Sequence, residues 1–81
     1  MATFVIEMFV SAARPADLEH AVGRLTEAAR PPIRLVRSFY LRDDETCFYI
    51  IEAPSMEAAV ELSRLAGVKP DRIMEAQAAD A

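Results

Sequence analysis

The sequence predicts a small α+β domain in which two helices cover one face of a four-stranded antiparallel sheet. Three observations lead there. Apolar residues alternate with a period of two in some stretches and recur at helical spacing in others. Proline, glycine and acidic clusters separate those stretches. The resulting order is strand, helix, strand, strand, helix, strand.

Thr3 to Val10 reads as the first strand, with Phe4, Ile6, Met8 and Val10 on one face. Its other face carries Val5, Glu7 and Phe9 and is mostly apolar too. Ser11 to Arg14 breaks the alternation, and Pro15 suits the first turn of a helix, where a missing N–H costs nothing. From Pro15 to Arg30, Leu18, Ala21, Val22, Leu25 and Ala29 form one apolar stripe. Asp17 and Glu19 sit near the positive end of this helix and Arg30 near its negative end. Pro31-Pro32 ends it. Ile33 to Arg42 is β-branched and aromatic enough for a strand. Asp43-Asp44-Glu45 reads as a solvated turn, and Thr46 to Ala53 returns to close a hairpin. Pro54 stops the ladder, Ser55 is a good N-cap for a helix over Met56 to Ala66, and Gly67 is the expected residue after it. Pro70-Asp71 redirects the chain into a last short strand, Arg72 to Ala76.

This βαββαβ order is the split βαβ arrangement of ferredoxin-like domains. One domain is expected over residues 1–76, with 77–81 as a disordered tail. A sheet with one solvated face should carry polar residues there. Here the first and third strands are apolar on both faces, leaving Val5, Phe9, Phe48 and Ile50 in need of cover. An exposed patch of that size marks an interaction surface. The expectation is a homodimer through the open sheet face, enclosing a cavity for a small molecule.

Composition narrows the partners. Eighty-one residues hold one domain, and one this small buries only about 60% of its unfolded surface, so its core is marginal. Disulfides or a metal often support such domains. The single cysteine, Cys47, excludes an internal disulfide, and His20 as the only histidine makes a metal cluster a poor fit. Oligomerisation remains, in keeping with 53% apolar residues. A net charge of −4 argues against nucleic acid, which needs a basic face. No stretch is long and apolar enough to span a membrane. The Met-Ala-Thr start has no basic n-region, and Glu7 interrupts the only apolar run, so no signal peptide is expected. The unpaired thiol fits a cytoplasmic protein. With only Gly23 and Gly67 there is no phosphate-cradling loop, and no cofactor is expected.

The segments VRSFYL, FYIIEAPSMEAAVE and RLAGVKPDRIME carry a resemblance. Arg37-Ser38, Glu52-Ala53-Pro54, Ala66-Gly67 and Pro70-Asp71-Arg72-Ile73, with Glu7 in the first strand, resemble a family of small bacterial ferredoxin-like proteins of unknown function. That family includes a nickel-binding protein. The resemblance covers roughly residues 3 to 76 and implies the fold. In that family a cysteine often stands four residues before the alanine of Ala-Pro, and a histidine five before the glycine. Those positions hold Tyr49 and Leu62 here, so the soft and imidazole ligands suited to nickel are replaced.

Candidate site residues are those whose chemistry does not suit their place. Glu7 and Glu52 are charged residues inside apolar strands, and in this fold both could leave the same face. Paired carboxylates in an enclosed space can act as acid and base. The alternative is an ion pair with Arg37 or with an arginine of the partner subunit. Arg37 could orient a carboxylate or enolate oxygen through its planar fork. Glu7, Arg37 and Glu52 are therefore the candidate catalytic residues, for proton transfer of the isomerase or cyclase type. Phe9, Tyr40, Phe48 and Tyr49 are the candidate ligand-binding residues. Whether the protein is an enzyme or only a binding protein stays open. Two other readings are a metal-binding protein using Glu7, Glu52, His20 or Cys47 across the dimer, and a pure interaction module. His20 lies off the apolar stripe and reads as a solvated helix residue, Cys47 as a small hydrophobe, and Met8 and Met56 as core fillers.

Overall fold

The structure, a computed structural model, describes residues 1–77. Along the chain run β1 (Ala2–Phe9), α1 (Ala16–Ala28), β2 (Arg34–Leu41), a 3₁₀ turn (Arg42–Asp44), β3 (Thr46–Ala53), α2 (Met56–Ala66) and β4 (Arg72–Ala76). The strands lie in the order β2-β3-β1-β4, every neighbouring pair antiparallel. This is the expected ferredoxin-like α+β fold. Gln77 follows β4 outside any strand, and the rest of the expected tail lies outside the described residues.

The second half of the chain is bounded by local chemistry. The Ser55 hydroxyl accepts a hydrogen bond from the Ala58 N–H at 3.1 Å, which caps α2. At the other end Gly67 takes φ +71°, a conformation that costs other residues about 1 kcal/mol or more. Its N–H donates to the Arg64 carbonyl and that of Val68 to the Ser63 carbonyl. These two bonds are a Schellman closure, and Val68 is carried into the core as its apolar contact.

α1 is shorter than its apolar periodicity predicts. It begins after Pro15 and ends at Ala28, and the Arg30 guanidinium folds back to donate to the carbonyls of Glu27 and Ala29. The predicted stripe faces inward: Ala21 and Leu25 are buried, with Leu18, Val22 and Ala29 half-buried against them.

Between the helices and the sheet lies one core. Phe4 and Ile6 from β1, Val10 just after it, Cys47, Tyr49, Ile51 and Ala53 from β3, and Ala59, Leu62 and Ala66 from α2 are all buried there. The two nickel-ligand positions implied by the resemblance, Tyr49 and Leu62, are thus packing positions. Met8 packs against this core, but Met56 does not fill it. It opens α2 on the outer side and is 39% exposed.

The acidic turn is more than a solvated tip. Glu45 adopts φ +49°, an uncommon conformation for a residue with a Cβ. Long-range bonds hold it there. Its carboxylate accepts from the Ala12 N–H at 2.8 Å and its carbonyl from the Val10 N–H at 2.9 Å. Nearby, the Tyr40 hydroxyl donates to the Val10 carbonyl at 2.7 Å, and the Asp71 carboxylate accepts from the Phe9 N–H at 2.8 Å. The end of β1 is therefore clamped by β2, the hairpin turn and the start of β4.

Candidate functional site

Alternation along each strand divides the sheet into a helix-covered face and an open face, and the register assembles the open face row by row. Leu41, Thr46 and Phe9 lie side by side at one end. Phe39, Phe48, Glu7 and Arg72 form the next row, then Arg37, Ile50, Val5 and Met74, and finally Arg34, Glu52, Thr3 and Ala76. Val36 is a bulge in β2, where Leu35 and Arg37 oppose consecutive residues of β3. It restores the alternation so that Arg34 and Arg37 both belong to the open face.

The open face is an apolar band between charged margins. Phe9, Phe39 and Leu41 are 59%, 50% and 42% exposed, and Val5, Phe48, Ile50 and Met74 are half-buried beside them. On α2, by contrast, the exposed Val60 and Leu65 have the charged Glu61 and Arg64 between them in the chain.

Of the predicted site residues, Glu7, Arg37, Glu52, Phe9 and Phe48 do share this face. Glu7 and Glu52, however, are not a pair. Glu7 stands opposite Phe48 and Glu52 opposite Thr3, four positions or about 13 Å apart along β1. Each meets a different arginine: Glu7 meets Arg72 at 3.4 Å and Glu52 meets Arg34 at 2.7 Å. Arg37, expected to neutralise one of them, has no ion-pair partner among the described residues.

Tyr40 and Tyr49 do not line the open face. Tyr49 follows Phe48 directly and so points the other way, into the core, and Tyr40 pairs with the buried Cys47. Tyr40 instead borders a groove of about 430 Å³ between α1 and β2, together with Leu18, Val22 and Ser38. Tyr49 is fully buried beside Cys47, and its hydroxyl has no hydrogen-bond partner among the described residues. Burial first, and the Cys47 contact second, push the Tyr49 pKa well above its ordinary value, while Arg24 pulls the other way. Burial likewise raises the Cys47 thiol.

For metal, the geometry offers little. Among the described residues no three of His, Cys, Asp and Glu converge. His20 is exposed on α1 and Cys47 lies sealed in the core, so these two stand apart from Glu7 and Glu52 on the open face. Sequence reasoning missed Phe39, Leu41 and Met74, which alternation from Arg37 and Arg72 would have found. The Arg72 and Arg34 ion pairs needed the strand register. Among the described residues no helix is long and apolar enough to cross a membrane. No family model, no curated protein and no solved structure matches the chain.

Proposed function

We propose that this is a cytoplasmic small-molecule-binding protein of the resembled bacterial family, working as a homodimer whose two open sheet faces enclose the binding space. The observation that carries this reading is the apolar band itself. A contiguous patch with Phe9, Phe39 and Leu41 about half exposed exceeds what a solvated sheet face carries. Four strands about 4.8 Å apart and some seven residues at about 3.3 Å give each copy a face of roughly 440 Å² in projection. Two such faces, with side-chain relief added, reach the roughly 1,000 Å² a specific interface needs. The rings of Phe9, Phe39 and Phe48 hold the sheets apart, and the short Thr3, Val5 and Ala76 leave room between them.

Binding is favoured over proton-transfer catalysis because both carboxylates are committed to separate arginines and lie too far apart to share a proton. The neutral fluorophore N-phenylnaphthylamine tests the reading. Its emission should rise saturably as it is titrated into the dimer. A Phe48→Glu variant, monomeric but folded by circular dichroism, should lose that response. Equal emission from the variant would contradict the proposal.

A further inference from the structure

The charges of the open face do not cancel. Its strands present three arginines, Arg34, Arg37 and Arg72, but only two glutamates, Glu7 and Glu52, leaving one positive charge in excess. This stands on a chain whose net charge is −4, so the surplus is local. Glu7 and Glu52 are each engaged by another arginine, and the uncompensated guanidinium is that of Arg37. Arg37 lies on the outer strand β2, between Phe39 and the Val36 bulge and directly across from Ile50. It therefore sits where the apolar band meets the margin.

The open-face strands of a second copy do not neutralise it. A symmetric partner brings the same surplus, so face-to-face pairing places two unpaired guanidinium groups in or beside a desolvated space. A charge left there without a counter-ion is strongly unfavourable. An anionic ligand would supply the charge that the two faces lack. Guanidinium presents a planar fork of donors that matches a carboxylate with two parallel hydrogen bonds.

Resting on the homodimer reading above, we infer that the ligand is a carboxylate on an apolar body. Its head is held by Arg37, and its body lies along the same row over Ile50 and Val5, in the room beside the spacing rings. Each copy supplies one such anchor. The dimer therefore holds two carboxylates, and ligand binding strengthens dimerisation by removing the repulsion between the two surplus charges.

The test pairs acids with neutral alcohols of the same shape, by titration calorimetry: octanoate against octanol, and naphthoate against naphthalenemethanol. At least one acid should bind roughly 10- to 100-fold more tightly than its alcohol. Arg37→Gln should remove that preference, so that acid and alcohol bind alike, while leaving the circular dichroism spectrum unchanged. Arg24→Gln, on the helix side, should change neither. Sedimentation equilibrium of the same samples keeps the two ideas apart. A dimer in which acid and alcohol bind equally, or in which Arg37→Gln binds the acid as the wild type does, overturns the anion site and leaves the dimer standing. No binding of either acid at millimolar concentration overturns it as well. A monomer at every concentration overturns the covering on which it rests.

Discussion

Glu7 and Glu52 leave the same face of the sheet yet stand four register positions apart, each against its own arginine. That separation decides how the open face is understood. Two carboxylates sharing a site would be acid–base equipment. Two carboxylates each held by a different cation are the charged margins of an apolar surface, and Arg37 is the group left over.

Independence of the two ion pairs is the first consequence. Both are partly solvated, so Glu7→Gln and Glu52→Gln should each cost about 0–1 kcal/mol in urea denaturation. The double variant should equal their sum within about 0.5 kcal/mol. A coupling well beyond that would mean the carboxylates sense one another, and the acid–base reading would return.

Tyr49 gives a second prediction. Its hydroxyl is buried without a satisfactory partner, so Tyr49→Phe removes a desolvated polar group and keeps the ring. Stability should stay level or rise by about 1 kcal/mol. A loss of more than about 1 kcal/mol would show that the contact with Cys47 is a genuine bond.

The same pair sets a pH dependence. The folded-state pKa values of Tyr49 and Cys47 are raised above their ordinary 10.0 and 9.0, so above those values the unfolded chain releases protons that the folded chain keeps. Their contribution is complete below the ordinary values and declines as pH rises through them. Urea midpoints should fall from about pH 9 upward. A Tyr49→Phe, Cys47→Val variant should show a shallower fall, and parallel curves would remove these groups as its cause.

The clamp at the end of β1 gives a fourth. Tyr40→Phe loses the bond to the Val10 carbonyl and Glu45→Ala the bond to the Ala12 N–H. Each should cost about 1 kcal/mol, whereas Asp43→Ala in the same turn should change stability by less than about 0.5 kcal/mol. Equal small effects at all three positions would return the turn to a solvated tip.

How much of this was legible depends on the range of the signal. β3, α2 and β4 begin and end where the sequence places them, because Pro54, Ser55, Gly67 and Pro70 act on their immediate neighbours. Around β1, α1 and β2 the limits move by one or two residues. At the end of β1 distant partners act, such as Asp71 against Phe9 and Glu45 against Val10. The apolar open face was legible from alternation in β1 and β3. Grouping Tyr49 with Phe48 ignored that same alternation, since consecutive strand residues face opposite ways. Which arginine meets which glutamate depends on strand order and on the Val36 bulge, and nothing local encodes either. That is why Arg37 looked like a partner for Glu7 or Glu52 and stands instead without one.

The central claim is that a second copy covers the open face, and sedimentation equilibrium at micromolar concentration tests it most directly. The wild type should sediment at twice the chain mass. Phe48→Glu should sediment as a folded monomer, and Leu65→Glu, on the helix side, should remain a dimer. A monomeric wild type, or a dimer broken by Leu65→Glu and not by Phe48→Glu, would contradict the account.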